Sequence, residues 1–140
     1  GISVKADLVL KNADLSDATM IVLPGGMPGT SNLDKDPRMS DILRNGFEQG
    51  CIVGAICAAP LILGKRGYLK GKRAICYPGF ESDLQGAILS ESPVTVDGSV
   101  VTARSAGVAW EFGYRLAELL VGTERCEEVR KALFLPPFGG

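Results

Sequence analysis

The run Ile52-Val53-Gly54-Ala55-Ile56 constrains the fold more than any other stretch of this chain. All five positions are apolar or small, the pattern of a strand covered on both faces, and such strands belong to parallel sheets flanked by helices. The run passes into Cys57-Ala58-Ala59-Pro60, where a proline suited to a first helical position follows almost without a loop. A buried strand feeding straight into a helix is half of a βαβ unit.

The rest of the chain repeats that alternation. Residues 2–9 alternate Ile2, Val4, Ala6 and Leu8 with more polar neighbours and predict a half-buried strand. Residues 12–18 read as a polar turn. Residues 20–23 (Met-Ile-Val-Leu) predict a second buried strand, and residues 25–33 a Gly- and Pro-rich loop. Asp36-Pro37 predicts an N-cap with proline at the first helical position, followed by a stripe of Met39, Ile42, Leu43 and Phe47 closed by Gly50. A short helix is expected over 58–65, and a strand over 73–76. Asp97-Gly98 between residues 94–96 and 99–102 predicts a hairpin. A helix over 108–121 is expected to bury Phe112, Leu116, Leu119 and Leu120, and Thr123 to cap a last helix reaching Leu133. Together these predict one domain over 1–140: a three-layer α/β fold with a mostly parallel sheet and a β-hairpin.

The Cys57 turn has the shape of a nucleophile elbow. Such a turn strains the nucleophile's backbone and requires small neighbours, here Gly54, Ala55, Ala58 and Ala59. A helix start offers unpaired N–H groups and a positive dipole end, both of which favour a thiolate. The plainer reading of Cys57, a small buried hydrophobe, stands beside this one. The loop Pro24-Gly25-Gly26-Met27-Pro28-Gly29 follows the preceding strand, and in a parallel sheet such loops meet at the carboxyl edge where ligands bind. Backbone N–H groups of Gly26 and Ala58 could then converge on one oxygen as an oxyanion hole. A phosphate cradle is disfavoured, because neither Gly-Lys-Ser/Thr nor G-x-G-x-x-G is present.

Composition narrows the chemistry. No histidine occurs among the 140 residues, which removes Ser-His-Asp and Cys-His catalysis within the chain and all histidine metal sites. Fifteen basic against sixteen acidic residues leave no electrostatic footprint for nucleic acid or an anionic membrane. Cys51, Cys57, Cys76 and Cys126 lack C-x-x-C spacing, so free thiols in a reducing, cytoplasmic setting are expected, with no metal and no cofactor. Cys51 and Cys76 read as core filling, and Cys126 as peripheral and oxidisable. Lys65, Arg66, Lys70, Lys72 and Arg73 read as a solvated basic face.

Four motifs occur in order: residues 22–29 (Val-Leu-Pro-Gly-Gly-Met-Pro-Gly), the elbow at 55–60, Cys76-Tyr77-Pro78-Gly79, and residues 102–107 (Thr-Ala-Arg-Ser-Ala-Gly). Together they resemble the DJ-1/PfpI (ThiJ/PfpI) superfamily, in particular its small ThiJ-like and DJ-1-like branch. The resemblance implies a flavodoxin-like fold related to class I glutamine amidotransferase domains, and a homodimer. It also implies one of several activities: glyoxalase or deglycase action on small carbonyls such as methylglyoxal, chaperone or oxidative-stress sensing, or PfpI-type peptidase or amidase action. Carried over by position, Cys57 matches the family's reactive cysteine, Gly26 and Ala58 its oxyanion-hole amides, and Gly25, Tyr77 and Ala106 its pocket.

Two departures from the family pattern bear on mechanism. The family places a glutamate against the cysteine sulfur from a segment that precedes the part matched here, and that segment includes its first strand and helix. The expectation is that this segment exists in the working protein, as a separate chain, a clipped fragment or an unseen piece. Tyr77 stands where well-known members carry histidine; a phenol is a poor base at neutral pH but a competent hydrogen-bond donor. The lack of histidine weakens the peptidase reading, since expelling an amine needs a placed acid.

Overall fold

The computed structural model describes residues 2–138. Its centre is a four-stranded sheet of β1 (Met20–Leu23), β2 (Ile52–Ile56), β5 (Val94–Asp97) and β6 (Val100–Ala103), in the order β1-β2-β6-β5. The β1–β2 and β2–β6 pairs are parallel and the β5–β6 hairpin is antiparallel. A separate parallel pair joins β3 (Arg73–Ala74) to β4 (Ile88–Leu89). The helices are α1 (Gly29–Lys35), α2 (Met39–Glu48), α3 (Pro60–Lys65), α4 (Ala109–Val121) and α5 (Thr123–Ala132).

The period-2 alternation of the strands builds the layers. Val53, Ala55 and Val100 belong to one buried cluster with Met39 and Leu43 of α2 and Leu61 to Leu63 of α3. Val101 and Ala103 belong to a second cluster with Phe112 and Leu116 of α4, against which Ile52 and Ile56 pack. Two helix layers therefore enclose one sheet, and glycine sets the spacing on each side. A methyl at Gly54 would stand 2.9 Å from a Leu116 methyl, and one at Gly46 of α2 would stand 2.4 Å from Ile21 Cδ1.

Several expectations change. Residues 2–9 form no strand: Ile2 and Val4 are 95% and 87% exposed, and among the described residues no strand pairs with the segment. The loop expected over 25–33 turns helical at Gly29, where Thr30 and Asn32 N–H groups find the Gly26 and Pro28 carbonyls. Asp36 stands two residues before the cap of α2; its carboxylate accepts the Arg38 N–H at 2.9 Å, and Arg38 holds the N-cap position. Gly122, at φ +85°, replaces Thr123 as the cap of α5. The hairpin loop is Gly98-Ser99, since Asp97 pairs with Val100 and Gly98 takes φ +61°.

The buried stripe of α4 narrows to Phe112 and Leu116, which share one face at i,i+4; Leu119 and Leu120, one turn on, are exposed. Cys126 is buried rather than peripheral, because α5 folds onto α4. The basic run is not wholly solvated: Arg66 donates to both Asp34 Oδ1, at 2.5 Å, and Asp34 O, at 2.8 Å. Gly1, Gly139 and Gly140 lie outside the described residues.

Candidate active site

The site grows from the carboxyl end of β2. Cys57, the next residue, has φ +64°, a left-handed conformation that costs an L-residue about 1–2 kcal/mol. Two hydrogen bonds impose it. The Cys57 N–H donates to the Ala103 carbonyl at the end of β6, and the Cys57 carbonyl accepts the Tyr77 N–H, each at 2.8 Å. The Ala59 N–H then closes on the Ile56 carbonyl at 3.1 Å, and Pro60 opens α3. Ala58 and Ala59 are buried, while Cys57 remains half-buried.

The glycine loop after β1 lies against this turn. A Cβ placed on Gly25 would meet Cys57 Cβ and Ile56 O at 2.6 Å, and Ala58 N at 3.3 Å. Only glycine permits that approach. Gly26 follows at φ +87°, and its carbonyl accepts the Thr30 N–H at 2.8 Å. Among the described residues, no acceptor takes the N–H of Gly26 or Ala58. For Ala58, with 1% exposure, an orphaned backbone donor is rare and calls for an explanation.

Tyr77 is 47% exposed beside the elbow, and its carbonyl accepts the Phe80 N–H. Burial pushes the Cys76 thiol up to about 11, with the neighbouring Glu81, Asp83 and Cys57 adding to it and the Phe80 N–H opposing. Glu81 belongs to a 3-10 turn, and its carboxylate accepts the Gly79 N–H at 2.7 Å. Ala106 opens a 3-10 turn three residues beyond Ala103 and is exposed, and among the described residues no hydrogen bond ties it to Cys57, Ala58 or Tyr77.

These contacts bring together Gly25, Cys57, Ala58 and Tyr77 from three separate segments. Ala103 and Cys76, adjoining them, were not singled out for the site by the sequence. The β2–β6 register supplies Ala103, and Cys76 follows from its place beside Tyr77. Among the described residues no group of three or more Cys, Asp or Glu is placed to hold a metal ion. A separate apolar cleft of about 430 Å³ lies between α4 and α5, lined by Trp110, Tyr114, Val121, Val129 and Leu133.

A mostly parallel α/β sheet with a left-handed cysteine between strand and helix, faced by a glycine loop, defines a protein of flavodoxin-like fold with a cysteine at its strand-to-helix turn. The chain belongs to the DJ-1/PfpI family, which it matches over residues 1–119. It is 39% identical over 143 residues to Protein DJ-1 homolog A of Arabidopsis thaliana, covering all of this chain and 36% of that protein. It is 36% identical over 118 residues to Protein dj-1beta of Drosophila melanogaster, covering 83% of this chain and 63% of that one. The glutathione-independent glyoxalase DJR-1.2 of Caenorhabditis elegans is 29% identical over 137 residues, with 96% and 73% covered. The crystal structure of Drosophila DJ-1beta superposes with a TM-score of 0.77 at 34% identity, covering 85% of this chain and 65% of that one. Oxidized Toxoplasma gondii DJ-1 gives 0.85 at 28%, covering 98% and 75%. The chain therefore spans about a third to two thirds of the Arabidopsis and Drosophila relatives. Among the described residues no helix is long and apolar enough to cross a membrane.

Proposed function

We propose that this protein is a cysteine-dependent enzyme acting on small reactive carbonyls, with glyoxalase-like or deglycase-like chemistry. The observation that carries the reading is the buried, unpartnered Ala58 N–H next to a strained Cys57 and against the Gly25-Gly26 loop. The Cys57 thiolate adds to the carbonyl carbon, forming a C–S bond as the carbonyl π pair moves to oxygen. The Gly26 and Ala58 N–H groups receive that oxygen as an oxyanion. Tyr77 and Ala106 line the approach, with the Tyr77 hydroxyl as a donor to the substrate's second oxygen. The glyoxalase name of the C. elegans relative supports this substrate class.

The proton relay is assigned to a carboxylate on a further segment that completes the sheet. Within the described residues β1 pairs only with β2, and Val22 is 44% exposed on a strand flanked by an apolar cleft of about 310 Å³. An open, apolar strand edge favours pairing with another strand. The working protein is read as one such completed domain, assembled as a homodimer in a reducing cytoplasm.

The test is lactate formation from methylglyoxal. Activity is expected in the wild type and lost in Cys57→Ala; lactate production that survives Cys57→Ala refutes the reading. Oxidation of Cys57 in redox sensing is the second reading, favoured by the oxidized state in which the Toxoplasma relative was solved.

A further inference from the structure

We propose that Cys76 is a resolving thiol for Cys57, so that hydroperoxides convert the site to a reversible intramolecular disulfide. The inference rests on the reading of Cys57 as the reactive nucleophile. It starts from the hydrogen bond between the Tyr77 N–H and the Cys57 carbonyl at 2.8 Å. The acceptor oxygen belongs to Cys57 and the donor nitrogen is bonded to the carbonyl carbon of Cys76, so this one bond sets the Cys57 and Cys76 backbones side by side. Standard backbone lengths then put the two Cα atoms roughly 5–7 Å apart. Disulfides span Cα separations of about 4.4–6.8 Å.

Two further observations favour the pair. Cys76 is 1% exposed and shares a buried cluster with Ala58 and Ala59 of the elbow, so it is shielded from direct oxidation while Cys57 is half-open. Cys57 is also among the groups whose charge holds the Cys76 thiol up, which places the two sulfurs within electrostatic reach.

The chemistry balances in two steps. The Cys57 thiolate attacks one peroxide oxygen; the O–O bond breaks, an S–O bond forms and hydroxide leaves, giving the sulfenic acid. The Cys76 sulfur then displaces that hydroxyl. An S–S bond forms, and the Cys76 proton leaves with the hydroxyl as water. The attacking form of Cys76 is its thiolate, and burial together with Glu81, Asp83 and Cys57 opposes it. The second step therefore accelerates as pH rises toward about 11.

The experiment treats the reduced protein with a small molar excess of hydrogen peroxide, enough for two oxidation steps at one thiol, followed by intact mass and non-reducing peptide mapping. The expected product has lost two hydrogens, links the Cys57 and Cys76 peptides, and is restored by dithiothreitol. Cys76→Thr is expected instead to gain two oxygens at Cys57, irreversibly. Wild-type protein that gains oxygen at Cys57 while Cys76 stays alkylatable overturns the proposal, as does a disulfide mapped to any other pair; both are read on wild type, whatever the variant's folding. A methylglyoxal assay on an untreated, reduced portion of the same protein separates the two failures. Sulfinate at Cys57 with lactate formation intact removes only the disulfide, whereas a Cys57 inert to both reagents removes the nucleophile reading as well.

Discussion

Gly25 and Cys57 are in backbone-to-side-chain contact across two strands: a methyl on the glycine would stand 2.6 Å from the cysteine's Cβ. Gly25→Ala must push the loop or the elbow apart. An overpacked site of this kind costs about 1–3 kcal/mol, and Cys57 alkylation by iodoacetamide should slow with it. Gly29→Ala is the control. A Cβ there meets nothing within 4 Å, so thermal melting should be unchanged or slightly raised.

The left-handed backbone of Cys57 separates stability from reactivity. Cys57→Gly relieves the strain at φ +64° and should stabilise the fold by about 1 kcal/mol, while abolishing any chemistry that needs the thiol. Cys57→Ser keeps the strain and should melt near the wild type. Urea titration of the three proteins checks both statements; a glycine variant weaker than serine contradicts them.

Cys76 makes the alkaline limb of the stability curve. Its thiol lies near 9 in an unfolded chain and is pushed up to about 11 here by burial, then by Glu81, Asp83 and Cys57. The unfolded chain therefore loses its proton first. The contribution is intact below about pH 9 and is lost as pH rises through about 11. The full loss is about 2–3 kcal/mol. Unfolding measured from pH 8 to 11 should be flatter in Cys76→Ala than in wild type.

Glu127 makes the matching acid dependence on the outer helices. Arg130 first, and then the Tyr114 hydroxyl, hold its carboxylate down at about 2, against an ordinary value of 4.5. Tyr114 reaches it at 2.6 Å from α4, and Arg130 also donates to the Leu135 carbonyl at 2.7 Å. This contribution is complete above pH 4.5 and is lost as pH falls through about 2. Hydrogen exchange of α5 should accelerate on acidification in wild type. In Glu127→Gln it should be faster at neutral pH and respond less to acid.

The elements legible in the sequence were those whose signal is local. Residues 52–56 are apolar on both faces, and that pattern admits little but a buried parallel strand; residues 20–23 form the parallel strand expected of them, but only Leu23 is buried, because among the described residues β1 has a neighbour on one side alone. Gly50 and Gly98 adopt the positive φ that their helix-end and turn positions demand. The elbow was legible because small residues around one cysteine, between a strand and a proline, leave few other folds.

What the sequence misread depended on partners. Residues 2–9 alternate like a strand, but alternation describes a side-chain pattern and supplies no neighbour to bond with; Ile2 and Val4 are left in solvent. Leu119 and Leu120 continue a helical stripe whose sheet contact ends at Leu116. Cys126 sits among charged neighbours in the sequence but is covered by a helix. Cys57, Tyr77 and Ala103 lie far apart along the chain, and only the sheet register and two backbone hydrogen bonds join them. Sequence alone determined that this chain is a parallel α/β domain with one cysteine at a strand-to-helix turn, because burial period and residue size act over a few positions. Tertiary structure decided which donors are left unpaired beside that cysteine and which distant backbone segment is bonded to it, because those follow from contacts between distant segments.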